Sequence, residues 1–222
     1  MIYYSAFNGI RQWMASVILF WSIRYIIQKD FRKYLICVIL ISTIHTTALI
    51  MVLFYFVAHF RPFGRNTIIM VIIFTIVSMF LPSFLGGFED TLYGTKYESY
   101  ISISDADNGV NIFRVLVAAV PVIISMFYYS KIKDDEESHI LINASIINLL
   151  ILFLARQNTI IARFSMYFEL YNLLLYPKFL KLLTKDEKNI YVYFLVVSFF
   201  VYMCLLLPTE SNLLPYKFFF NK

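Results

Sequence analysis

Four arginines lie within or at the ends of apolar stretches of the sequence: Arg11, Arg24, Arg114 and Arg163. If these stretches cross a bilayer, each charge needs a partner, a water-filled cavity or access to the headgroup layer. A guanidinium binds phosphate oxygens through paired hydrogen bonds, so several guanidiniums at one depth would suit a pyrophosphate. We predict that Arg11, Arg114 and Arg163 form such an anion site, and that Arg24 snorkels to the surface. The competing interpretation is that all four only reach headgroup phosphates.

Two further titratable residues lie inside apolar sequence. His45 lies between hydroxyl residues. It either packs through hydrogen bonds or exchanges a proton in a cavity. Glu169 lies six residues after Arg163, and we expect it to pair with a neighbour such as an arginine on an adjacent helix. In the longest polar region, Tyr97 and Tyr100 are candidates for stacking on the faces of sugars.

No motif for a cofactor or metal accompanies these residues. The polar region Gly86–Asn111 carries five acids, but their spacing matches no metal site. The chain also has no Walker loop, nucleophile elbow, HExxH or paired CxxC. We therefore expect no cofactor and no metal. The formal net charge of +5 is interpreted as a sign of membrane orientation and anionic lipid contact, and no nucleic-acid partner is expected.

The apolar residues gather into blocks that would position these side chains. Hydrophobic residues make up 60% of the 222 and charged residues 15%, and the mean hydropathy is +0.73. The blocks are about 20 residues long, the length of a membrane-spanning helix, and lack the alternation of barrel strands. The sequence thus predicts an all-α, polytopic transmembrane helical bundle forming a single membrane domain over residues 1–222. The blocks are Gly9–Ile27, Tyr34–Phe60, Asn66–Phe84, Ile112–Tyr129, His139–Ala155, Ile161–Tyr176 and Ile190–Leu207.

The topology depends on the block Tyr34–Phe60. If it crosses once, the loop Lys and Arg residues divide seven to eight between the two sides. If it turns back near His45 as a re-entrant or broken helix, eleven fall on one side and four on the other. Basic loop residues concentrate on the cytoplasmic side, which favours six full spans plus the hairpin. This arrangement makes residues 85–111 an extracytoplasmic loop and places Arg11, Arg114 and Arg163 at the outer face.

Three short motifs occur in the order and spacing of a known family. Residues 8–15 (NGIRQWMA) resemble an N-x-x-R-Q-x-x-A element, and residues 44–50 (IHTTALI) resemble an F-H-x-S-A-L element. Residues 162–168 (ARFSMYF), followed by Pro177, resemble a late R-x-x-x-Y-F…P element. The family is that of EpsG-type membrane proteins, relatives of the Wzy polysaccharide polymerases.

The resemblance implies a GT-C-like glycosyltransferase in exopolysaccharide or capsule biosynthesis at the bacterial cytoplasmic membrane. It would join repeat units carried on undecaprenyl pyrophosphate, with a lipid-linked oligosaccharide, membrane lipid and other polysaccharide-assembly proteins as partners. The resemblance implies His45 and Arg163 as catalytic residues, and Arg11, Gln12 and Tyr167 as substrate-binding residues. Arg114, Tyr97 and Tyr100 complete the predicted substrate-binding set on the arguments given above.

One departure from the family keeps other functions open. Family members usually have additional spans before the first element, which here begins at residue 8. We therefore expect this chain to correspond to the C-terminal part of such a protein. Two alternatives remain: a transporter or flippase-type component for a lipid-linked anion, and a non-catalytic scaffold in polysaccharide assembly.

Overall fold

The computed structural model describes residues 9–92 and 109–210, and this part of the chain is helical with no strand. The predicted all-helical class is confirmed for it. Before residue 93 the α-helices are α1 (Ile10–Trp21), α2 (Ile23–Ile27), α3 (Phe31–Ser42), α4 (Met51–Ala58) and α5 (Arg65–Leu92). After residue 108 they are α6 (Ile112–Ile132), α7 (Glu136–Leu154), α8 (Met166–Glu169), α9 (Asn172–Leu180) and α10 (Lys185–Glu210). Two 3-10 segments cover Thr46–Ile50 and Thr159–Ser165.

Three helices in the described residues are long and apolar enough to cross a membrane. They are Ile112–Ile132, Glu136–Leu154 and Lys185–Leu205, with mean hydropathies of 2.0, 1.7 and 1.6. Shorter apolar helices cover Thr46–Ala58 and Arg65–Phe80. These lengths are those of a membrane protein. The number of six full spans stays a prediction.

The helix α7 lies at the centre of the packing. Of its apolar window 72% is buried, against 28% for α6 and none for the apolar part of α10. A helix that is apolar on all sides belongs in an interior, and α7 packs against α4, α6, α9 and the second 3-10 segment. It also carries buried polar side chains, among them Asn143 and Ser145.

The block Tyr34–Phe60 is broken at His45, as predicted. The helix α3 ends at Ser42, and His45 has extended backbone angles of φ −148° and ψ 109° before the first 3-10 segment. The Tyr34 hydroxyl donates to the Met51 carbonyl at 2.9 Å, so the chain returns alongside α3. Residues 31–60 therefore form an antiparallel hairpin, named here the α3–α4 hairpin. At 1.5 Å per residue, α3 is about 18 Å long, well short of a bilayer core of roughly 30 Å.

The return arm of this hairpin ends on a side chain from α7. Asn143 is fully buried, and its Nδ2 lies 3.2, 3.1 and 2.7 Å from the carbonyl oxygens of Val57, Ala58 and Phe60. The last carbonyls of a helix have no partner within it, and they are costly when removed from water. Asn143 supplies a donor to the Ala58 and Phe60 carbonyls, while the Val57 carbonyl also accepts from the Phe60 amide. These bonds fix the hairpin against the central helix.

The block Ile161–Tyr176 is not the uninterrupted span expected from its hydropathy. It consists of the second 3-10 segment, the single turn α8 and the start of α9. Ser165 and Leu170, at the junctions, keep right-handed helical angles, so the irregularity lies in the hydrogen-bond pattern. A 3-10 turn alters the direction of successive side chains, which changes what this segment presents to α1 and to the hairpin.

The helix α5 is longer than the apolar block that predicted it. Its 28 residues run from Arg65 to Leu92, whereas the expected span ended at Phe84 and the expected loop began at residue 85. Its length is about 42 Å at 1.5 Å per residue, which exceeds the roughly 30 Å of a bilayer core. The polar residues after Phe84 therefore extend the helix before any loop begins.

Charged loops join the elements at the end of the molecule opposite the tip of the hairpin. Lys29 donates to Glu136 at 2.8 Å and Lys178 donates to Asp135 at 2.7 Å. These pairs connect the loop before α3, the start of α7 and α9.

A first prediction concerns Gly109, where the chain enters α6. Gly109 has φ +69°, and a Cβ added there would lie 1.9 Å from the Arg156 carbonyl oxygen. We expect Gly109→Ala to combine backbone strain with a steric clash and to lower the free energy of unfolding by on the order of 3 kcal/mol. Thermal unfolding of the purified protein in detergent measures this effect.

The matched control is Gly9→Ala, because a Cβ there meets nothing nearer than 3.8 Å. Gly9→Ala should unfold at the wild-type temperature. Equal melting temperatures for Gly109→Ala and the wild type would contradict the close approach of residues 109 and 156.

Candidate functional site

The start of α1 brings the first motif to the second 3-10 segment. Gln12 is buried, with 5% of its surface exposed, while Arg11 beside it is exposed. The Gln12 Nε2 donates to the Arg163 carbonyl oxygen at 2.7 Å. This bond joins two motifs that are far apart in the sequence, so Arg11 and Arg163 enter the same neighbourhood from different segments.

The tip of the α3–α4 hairpin reaches this neighbourhood. His45 caps the first 3-10 segment and is half-buried, and its imidazole interacts electrostatically with the guanidiniums of Arg11 and Arg163. Two cations and one imidazole are thus assembled from three segments. The extended backbone at His45 makes this possible, because it ends α3 and lets the chain turn at that level.

A buried tyrosine lies beside these three residues. Tyr167 is fully buried, and its hydroxyl lies 2.8 Å from the Thr47 Oγ1 and is also within hydrogen-bonding reach of Gln12. Tyr167 follows Arg163 by four residues, just after the second 3-10 segment passes into α8. We name the group Arg11, Gln12, His45, Arg163 and Tyr167 the tip site.

Thr47 is the residue at this site that the sequence analysis missed. It lies at the position where the family element has Ser, so the hydroxyl is retained, and this is the signal that was available. Its neighbours also carry hydroxyls, and their spacing alone does not show which one reaches another segment.

Arg114 contacts a carboxylate. Its Nη2 lies 3.8 Å from the Glu169 Oε1, which also accepts from the Ser165 hydroxyl at 3.2 Å. The prediction that Glu169 pairs with an arginine on another helix is confirmed. Glu169 lies two residues beyond Tyr167, which turns it to a different side of the segment. A place for Arg114 in the tip site stays a prediction.

The remaining predicted residues lie elsewhere. Arg24 is exposed, with its guanidinium 3.5 Å from the centre of the Trp21 ring, and it donates to the Tyr25 hydroxyl at 2.7 Å. This surface stacking agrees with the structural role expected for Arg24. Tyr97 and Tyr100 lie outside the described residues. Within residues 9–92 and 109–210, no group of three or more His, Cys, Asp or Glu is arranged to hold a metal ion.

The tip site has the chemistry of an anion site with a proton-transfer group. Guanidiniums from two segments can each offer two donors to phosphate oxygens, which fits a diphosphate better than a single phosphate. An imidazole at the same place can accept or donate a proton.

Comparison with known proteins gives one family. The model of the EpsG family matches residues 1–218, which is nearly the whole chain. No curated protein and no solved structure matches.

Proposed function

Because the chain belongs to the EpsG family, we propose that it is a polysaccharide polymerase-type glycosyltransferase of the bacterial cytoplasmic membrane. Its donor would be an oligosaccharide repeat unit carried on undecaprenyl pyrophosphate, and its product an exopolysaccharide or capsule polymer. The observation that carries this proposal is a pair of hydrogen bonds, from Gln12 to the Arg163 carbonyl at 2.7 Å and between Thr47 and Tyr167 at 2.8 Å. They bring together the segments that bear Arg11, Arg163 and His45, which would bind a diphosphate beside a proton acceptor.

In this proposal the tip site acts on the bond between the sugar and the diphosphate. An acceptor hydroxyl attacks the anomeric carbon of the donor, and His45 takes the hydroxyl proton as the new glycosidic bond forms. The bond from the anomeric carbon to the diphosphate oxygen breaks, and the lipid diphosphate leaves. Arg11 and Arg163 neutralise the charge that develops on this leaving group.

We propose further that the tip site faces the outer side of the membrane. The hairpin tip lies at one end of the molecule, and Lys29 and Lys178, which bind the start of α7, lie at the other. The chosen topology assigns eleven basic residues to this second end. This distribution is typical of a cytoplasmic face. Six spans in a GT-C-like arrangement belong to the same proposal.

Cysteine labelling in intact cells tests this orientation. In a background lacking Cys37 and Cys204, an impermeant thiol reagent should modify Ser99→Cys and spare Lys185→Cys, because we place only residue 99 outside. After the membranes are opened, both variants should react, which controls for burial. Labelling of Lys185→Cys alone in intact cells would contradict the orientation.

Reconstitution tests the activity itself. We expect the protein in liposomes, given the lipid-linked repeat unit, to produce longer saccharides and release undecaprenyl pyrophosphate. The saccharides are resolved on gels and the lipid diphosphate by chromatography. Binding of the lipid diphosphate without any bond transfer would favour the transporter alternative. Neither binding nor transfer would favour the scaffold.

A further inference from the structure

Neutral hydrogen bonds accompany the charged residues of the tip site. The Gln12 side chain donates to the Arg163 carbonyl at 2.7 Å, which joins α1 to the second 3-10 segment. The Thr47 hydroxyl bonds the Tyr167 hydroxyl at 2.8 Å, which joins the hairpin to α8. The first bond therefore fixes the spacing between the segments of Arg11 and Arg163, and the second fixes the spacing between the segments of His45 and Tyr167.

We propose that Thr47 is a positioning residue, which holds His45 at a set distance from Arg163 through the hydroxyl of Tyr167. This inference rests on the proposed function, because the distance between His45 and Arg163 matters for sugar transfer only if both residues take part in it. Thr47 lies two residues after His45, and Tyr167 lies one turn after Arg163. A bond between Thr47 and Tyr167 therefore connects the proton acceptor to a cation that holds the diphosphate.

Other hydroxyls of the hairpin tip do not make this connection. Ser42 donates to the Ile39 carbonyl at 2.6 Å, and Thr43 donates to the Leu40 carbonyl at 2.7 Å. Both bonds stay within α3, one turn back. Tyr167 is a firm anchor for Thr47 because its ring is fully buried in the main core cluster.

The reaction should be sensitive to this spacing. Misplacement of reacting groups by about 1 Å can cost on the order of 10²-fold in rate. Losing one neutral hydrogen bond allows the tip to shift without unfolding the chain, so we expect Thr47→Val to slow transfer about tenfold. The loss should fall on kcat, with KM for the lipid-linked donor nearly unchanged, because Arg11 and Arg163 remain.

The first part of the test compares variants in reconstituted polymerisation. Thr47→Ser keeps the hydroxyl and should restore most of the rate. Tyr167→Phe should be at least as slow as Thr47→Val, because it also removes the contact with Gln12. The double variant should be no slower than the slower single variant, since both remove the same bond. Thr43→Val is the matched control and should polymerise normally. Additive losses, or a Thr47→Ser variant as slow as Thr47→Val, would overturn the proposal.

The second part of the test measures a distance between two segments and does not depend on any reaction. Spin labels on Leu49→Cys and Leu173→Cys, both exposed positions, report the distance between the hairpin and the α8–α9 segment by pulsed electron resonance. Thr47→Val should broaden this distance distribution and Thr47→Ser should not. If the wild type makes no polymer, the proposed function fails, and the distance measurement still decides whether Thr47 holds the tip. An unchanged distribution in Thr47→Val would overturn the positioning role.

Discussion

Arg163→Lys and Arg11→Lys will each reduce polymer formation by on the order of 10²–10³-fold, if both guanidiniums bind the leaving diphosphate. Lysine keeps the charge but loses the planar group that offers two donors at once. The Gln12 bond to the Arg163 carbonyl joins the two segments that bear these arginines, so both lie near the hairpin tip. Polymer length and amount in cells that depend on this protein, at equal membrane abundance, measure the effect.

The matched control is Arg24→Lys. Arg24 is exposed and stacked on Trp21, away from the tip site, so its replacement should leave polymer nearly normal. Near-normal polymer from both Arg11→Lys and Arg163→Lys would exclude the proposed role. Equal damage from Arg24→Lys would show that the losses arise from folding.

Asn143→Leu will destabilise the protein by about 3–5 kcal/mol, the second large effect that we expect. Leucine has a similar size, but it removes the Nδ2 that faces the carbonyls of Val57, Ala58 and Phe60. The Ala58 and Phe60 carbonyls then lose this donor, whereas the Val57 carbonyl still accepts from the Phe60 amide at 3.0 Å. Fluorescence-detected size exclusion after heating in detergent measures the loss of folded protein.

Two further variants test whether the loss of stability comes from the hydrogen bonds of Asn143. Asn143→Asp keeps the shape and removes the donors while adding a charge, so it should be at least as damaging as Asn143→Leu. Asn189→Leu changes an exposed asparagine on α10 and should unfold at the wild-type temperature. Wild-type stability of Asn143→Leu would show that the end of α4 is satisfied by other means.

The α3–α4 hairpin is predictable from the sequence alone, because two independent signals agree at His45. A polar cluster around His45 interrupts an apolar block, and the basic loop residues divide unevenly only if the chain turns back at that point. The grouping of Arg11, His45 and Arg163 followed from motif order. Motif order is a statement about relatives, to which the structure adds the hydrogen bonds that join the three segments.

Other features depend on tertiary contacts that hydropathy does not record. An apolar block such as Ile161–Tyr176 has the same composition whether its helix is regular or contains a 3-10 segment. Only its expected depth in the membrane favours a place for Arg114 in the anion site, and its carboxylate partner Glu169 is more than fifty residues away. Thr47 was one hydroxyl among several until the position of Tyr167 was known.

The dependence of the hairpin on Asn143 also sets an order for biosynthesis. Phe60 leaves the ribosome 83 residues before Asn143, counting from position 60 to position 143. At roughly 5–20 residues per second, this interval lasts about 4–17 seconds, during which the return arm has no donor from α7. An uncapped helix end is tolerated in water or beside the insertion machinery, but not in lipid. The return arm of the α3–α4 hairpin therefore reaches its final position only after α7 has been made, although the hairpin itself is made much earlier.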